Sequence, residues 1–164
     1  MNKRTKKRIK TAGKIFFVLY ILALIYFLFI SERVGQLRFE EREYHYNLIL
    51  FREISRFWNY REQLGYLAVA ANLLGNVAGF VPFGLILPII SRNARGFFFI
   101  TFSGFALSLL VETVQLVTKR GSFDVDDLVM NTLGTAAGYV IFAVSYMIYN
   151  KLRKRKRKYG KKKV

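Results

Sequence analysis

The sequence predicts an all-α fold: a polytopic membrane protein built as a bundle of four transmembrane helices, with a short extracellular amphipathic segment between the first two. Three observations predict it. Four apolar runs, near residues 14–30, 66–90, 96–117 and 128–149, approach or exceed the roughly 20 residues that cross a bilayer. The chain is 53% hydrophobic and carries 27 Lys and Arg against 10 Asp and Glu, for a net charge of +17. Small and polar residues within the runs recur every three or four positions, which is the period of one helix face. The charge alone would suit a soluble nucleic-acid binder, but four spans do not, so membrane lipid is the expected partner and nucleic acid is not.

Residues 1–13 are a basic tail that precedes the shortest apolar run, Ile15 to Ile30. A basic stretch before an apolar one also describes a signal peptide. Ser31-Glu32-Arg33-Val34 offers no small-x-small cleavage site, however, so the run is read as a retained anchor. The following segment, Ser31 to Gly65, is too short for a domain of its own. Its first part, Glu32 to His45, is charged and solvated; in its second part Phe51, Ile54, Phe57 and Trp58 recur at helical spacing among Arg52, Glu53, Arg56 and Arg61. A short surface helix with Trp58 at headgroup level is one reading, and a loop whose aromatics cover the bundle is the other.

The second run carries Asn72 and Asn76 on one face, with Gly75 and Gly79 placed to admit a neighbouring helix and Pro82 expected to kink the span. The third shows Thr101, Gly104, Ser108, Glu112 and Gln115 as one stripe, and the fourth shows Asp127, Asn131, Gly134 and Gly138. Lipid satisfies no polar group, so both stripes face protein and form the seams of the bundle. Residues 14–149 thus make the membrane domain, and residues 150–164 a second basic tail.

Orientation follows from the charges. Lys3 to Lys14, Arg92 and Arg95, and Lys151 to Lys163 all fall on one side of the predicted bundle, where no acid stands. Cytoplasmic flanks are enriched in Lys and Arg, so both termini are expected in the cytoplasm of a bacterial plasma membrane. The acids then lie outside, apart from Glu112 in the third span. At about 1.5 Å of rise per residue, Asn72, Asn76, Glu112 and Asn131 lie roughly 9, 15, 8 and 5 Å below the outer surface. Polar groups of three helices therefore converge on a pocket that opens outward.

An ionisable Glu in a span costs about 2.5–3.5 kcal/mol on insertion scales, which marks Glu112 for a role. General base, proton carrier, cation ligand and partner of Arg120 all stay open, beside a purely structural carboxyl that holds the bundle in register. The expected pocket comprises Asn72, Asn76, Glu112, Gln115, Arg120, Asp124, Asp127 and Asn131. Asp124 and Asp127 have the spacing of a helix N-cap and its third-residue partner. Asp124, Asp126 and Asp127 are the candidates for a divalent cation, although their spacing is not that of a calcium loop. The chain has no Cys and one His, His45, so thiol chemistry, multi-His metal sites and His relays find no residues, and no cofactor is expected.

These residues resemble the VanZ-like family of bacterial membrane proteins. The resemblance lies in Asn47-Leu48-Ile49-Leu50-Phe51-Arg52, in Gly75-Asn76 with Pro82-Phe83-Gly84, in Glu112-x-x-Gln115, in Arg120, and in Asp124-x-Asp126-Asp127 with Asn131 and Gly134. It runs from about residue 47 to 140; Leu50 stands where family members often have Pro. It implies an integral protein of the Gram-positive type envelope, named for a member that lowers susceptibility to teicoplanin, a lipid-tailed glycopeptide that binds peptidoglycan precursors. It implies no established reaction. The expected role is a non-enzymatic one, in which the outer pocket meets lipid, lipid-linked precursor or lipoglycopeptide, with Arg120 on a phosphate or carboxylate. Two alternatives stay open: an intramembrane hydrolase or transferase with Glu112 as base, and a lipid or ion transporter coupled through Glu112.

Overall fold

The computed structural model describes residues 3–29, 44–91, 95–119 and 121–160. The elements are α1 (Lys3–Phe29), β1 (His45–Asn47), α2 (Arg52–Asn59), α3 (Arg61–Leu64), α4 (Tyr66–Ile90), α5 (Phe97–Thr118), β2 (Ser122–Asp124) and α6 (Val125–Gly160). Four of these helices, α1, α4, α5 and α6, are long and apolar enough to cross a membrane. The protein is mostly helical, as its four-span pattern requires. The basic tails continue α1 and α6 rather than leaving the helical path, because Lys and Arg are good helix formers. At 36 residues α6 is about 54 Å long, against an apolar bilayer core of about 30 Å, so its last turns carry Lys151 to Arg155 beyond the apolar stretch.

Helix α6 is the hub: α4 makes the most extensive contact with it, α5 the next, and α1 packs against α4. The α4–α6 contact is backbone against backbone. A Cβ on Gly84 would overlap the Thr135 carbonyl, one on Gly134 the Val77 carbonyl, and one on Gly138 the Val81 carbonyl. Gly104 makes room in the same way for the Thr135 side chain, bringing α5 in. The expectation for Gly75 and Gly79 is corrected: a Cβ on either meets open space, so among the described residues this pair seats no neighbouring helix. What Gly79 offers is its carbonyl, which accepts a hydrogen bond from the Tyr20 hydroxyl of α1 at 2.9 Å. Helix α4 runs as one element through Pro82 and Pro88.

Polarity is distributed inside out. Ser108, Asp126 and Thr135 are fully buried, while Leu67 is 87% and Phe98 84% exposed. In water this would be untenable; in hydrocarbon it removes the cost of solvating polar groups and leaves apolar side chains toward lipid. The hydroxyls of Ser103, Thr113 and Thr132 donate to the carbonyl four residues earlier in their own helices, which lets them stand in a span without an outside partner.

One feature lies outside the all-α expectation. Strands β1 and β2 pair in parallel, with His45 opposite Ser122, Tyr46 opposite Phe123 and Asn47 opposite Asp124. Two short strands have little stability alone. Here they fasten the segment before α2 to the turn between α5 and α6, and so build the site.

Candidate functional site

Asp124 ends β2 and caps α6. Its Oδ1 accepts the Asp126 backbone N–H at 2.8 Å, in the manner of an N-cap, and the Asn47 side-chain amide at 3.1 Å. In a local capping box the third helical residue would reach back to the N–H of the cap itself. That residue, Asp127, instead accepts from the Asn76 amide of α4. The carboxylate that takes the Asp124 N–H is Glu112 of α5, at 2.9 Å. A motif usually closed within four residues is thus shared by α4, α5 and α6, and it ties the three helices together.

Asn47 carries the geometry outward. Its Oδ1 accepts the Ile49 N–H at 3.1 Å, closing a turn, and the chain then enters α2 through Phe51 in the left-handed region at φ 63°. No residue of that segment caps α2 with its side chain. The cap comes from Asp126, whose buried carboxylate accepts the N–H groups of Phe51 at 2.5 Å, Glu53 at 2.9 Å and Ile54 at 3.3 Å. A negative group at a helix N-terminus also meets the positive end of the helix dipole. The amphipathic segment is therefore docked on the bundle, with Ile54 and Phe57 half-buried and Trp58 exposed under the Arg61 guanidinium.

Above these contacts lies a polar cavity of about 640 Å³. Asn76, Glu112, Gln115, Asp124, Asp127 and Asn131 line it, so the structure brings together these six of the residues the sequence singled out. The side chain of Asn72 and the whole of Arg120 lie outside the described residues. At the floor, Asn131 donates to the Ser108 hydroxyl at 2.9 Å, and its Oδ1 is buried with no partner among the described residues. A second, mainly apolar cavity of about 430 Å³ lies between α1 and α4, where Gly75 and Gly79 leave space beside Tyr20, Ala23 and Pro82. Asn76 and Asn131 line both cavities, so the two meet there.

The VanZ/LLP1 family model matches residues 17–147, which takes in the second half of α1, all of α4 and α5, most of the apolar part of α6, both strands and the polar cavity. The chain belongs to the VanZ/LLP1 family. No curated protein and no solved structure matches it.

In this VanZ/LLP1 protein the acidic run has divided duties. Asp124 faces Asn47 and the start of α6, Asp126 faces the start of α2, and Asp127 faces Asn76. The three carboxylates diverge, and no group of three His, Asp or Glu able to hold a metal occurs among the described residues. The cavity wall also holds residues that the sequence reading did not place there: His45, Asn47, Arg52, Glu53, Arg56 and Ser122. Arg56 pairs with Glu53 at 2.6 Å, whereas Arg52 has no acidic partner among the described residues. Asn47 and Arg52 stood at the two ends of the motif that carried the family resemblance. What was missing was the parallel pairing that carries that motif to the acids of β2 and α6.

Proposed function

We propose that this VanZ/LLP1 membrane protein binds the polar head of a lipid-anchored envelope compound in the polar cavity and lodges the lipid chain in the apolar cavity beside it. The ligand class is a lipid-linked cell-wall precursor or a lipid-tailed glycopeptide, and occupancy lowers susceptibility to teicoplanin-type drugs. One observation carries this reading: the polar and apolar cavities meet at Asn76 and Asn131, which is the outline of an amphiphile. The unpartnered Asn131 Oδ1 suits an N–H or O–H of the guest, and Arg52 suits a phosphate or carboxylate. Glu112 already accepts the Asp124 amide, so the reading rests on binding rather than on base catalysis. Both termini are taken as cytoplasmic, which turns the cavity toward the outer surface where such ligands are presented; the one-sided distribution of basic residues supports this.

The test is teicoplanin and vancomycin susceptibility in a Gram-positive host expressing wild type, Arg52→Gln or Gly79→Leu at matched membrane levels. Gly79→Leu fills the apolar cavity from a position where a Cβ meets open space. Protection against teicoplanin but not vancomycin, lost in both variants, is the expected result. Wild type indistinguishable from empty vector would remove the drug from the proposal.

A further inference from the structure

At the opposite end of the bundle, a cavity of about 600 Å³ opens between α1, α4 and α6. Its wall includes three cations, Lys10 of α1, Arg95 before α5 and Arg153 of α6. All ten acids of the chain lie in residues 32–62 or 112–127, and none lines this cavity. Arg95 is only half-exposed and is held firmly. Its Nε donates to the Pro88 carbonyl at 3.1 Å, its own carbonyl accepts the Tyr139 hydroxyl at 2.7 Å, and its guanidinium lies 5.1 Å from the Tyr146 ring and 5.8 Å from that of Phe142. The two terminal nitrogens have no protein acceptor among the described residues. A partly desolvated guanidinium with its fork unpaired is a site for an anion with paired oxygens.

The cavity also has an apolar side. Ile9 and Ile89 belong both to its wall and to an apolar groove of about 660 Å³ that runs between α1 and α4 past Phe16 and Pro82. A fixed cationic fork that opens on an acyl-sized groove matches one ligand chemistry.

We propose that this cavity binds the phosphodiester of an anionic phospholipid, with Arg95 on the phosphate, Lys10 and Arg153 beside it, and one acyl chain along the α1–α4 groove. The cationic cavity shares no lining residue with the polar cavity at the other end, although the acyl groove adjoins the apolar cavity there at Tyr20, Ala23 and Pro82. Its position at the basic end fits the way basic pockets between spans collect anionic headgroups.

The test is native mass spectrometry of the purified full-length protein, titrated in detergent with phosphatidylglycerol, phosphatidylcholine or inorganic phosphate. Wild type is expected to retain phosphatidylglycerol at least about tenfold more strongly than phosphatidylcholine, and Arg95→Gln to lose most of that preference. Arg95 also helps to end α4, so a second pair guards against a folding defect: Arg153→Gln, in the cavity wall, against Lys154→Gln, outside it. Both remove one charge at adjacent positions. Loss in Arg153→Gln alone supports the site. Equal loss in both overturns it in favour of diffuse attraction to the basic tail. Inorganic phosphate competing as well as phosphatidylglycerol binds overturns the lipid assignment.

Discussion

Replacing Asp126 by Ala should detach α2 and β1 from the bundle while leaving the spans folded. The carboxylate accepts three backbone N–H groups across more than 70 residues of sequence. A buried donor left without its acceptor costs about 1–3 kcal/mol. Phe51 is exposed and Glu53 and Ile54 are half-buried, so water re-satisfies part of the loss. A lost cap at the upper end of its range, about 2 kcal/mol, together with about 1 kcal/mol for the lost tether, gives about 3 kcal/mol. Helix α2 has eight residues and no stability of its own, so the whole loss appears as local opening, increased on the order of 100-fold. Hydrogen exchange read by mass spectrometry in detergent should therefore accelerate by that factor over residues 51–56 and leave α5 and the membrane portion of α6 unchanged. Asp126→Asn sharpens the test. One amide oxygen can serve Glu53 and Ile54, but the NH₂ group then faces the Phe51 N–H, donor to donor, and the acceleration should be about tenfold. Exchange over residues 51–56 that stays within about twofold of wild type in Asp126→Ala would refute the reasoning.

Three further outcomes are expected. Glu112→Gln keeps an acceptor for the Asp124 N–H and should cost about 1 kcal/mol, whereas Glu112→Leu orphans that N–H and should cost about 2–3 kcal/mol; equal losses in thermal unfolding would sink the capping role of Glu112. Gly138→Ala drives a Cβ into the backbone of α4 and should destabilise by about 1–3 kcal/mol, while Gly75→Ala meets open space and should be neutral or slightly stabilising; the thermal midpoints of the two variants decide it. Because the chain has no Cys, single cysteines report orientation directly: Ser122→Cys should react with an impermeant maleimide on intact cells and Lys151→Cys only after lysis, and the reverse pattern would invert the topology.

Much of the site was legible because its residues stand where they are expensive. Glu112, Asn76 and Asn131 interrupt apolar runs, and a polar group in a span must find protein. The cap relation of Asp124 to the start of α6 was legible too, since it is local. Asp127 has the short-range spacing of the cap's third-residue partner, but Glu112 of α5 takes the cap's own N–H, leaving Asp127 to Asn76. The glycines divide likewise. Gly75 and Gly79 have the spacing of a packing motif, yet the faces that meet are those of Gly84, Gly134 and Gly138.

Four long apolar helices and the polar stripes along them were determined by the sequence itself, because transfer of a helix into lipid is a sum over its own residues. Only the tertiary structure decided the parallel pairing of His45–Asn47 with Ser122–Asp124, the capping of α2 by Asp126, and the entry of Asn47, Arg52 and Arg56 into the cavity wall. The pairing and the capping join segments more than 70 residues apart. Which donor reaches which carboxylate is set there by how α4, α5 and α6 approach one another, and no local pattern carries that information.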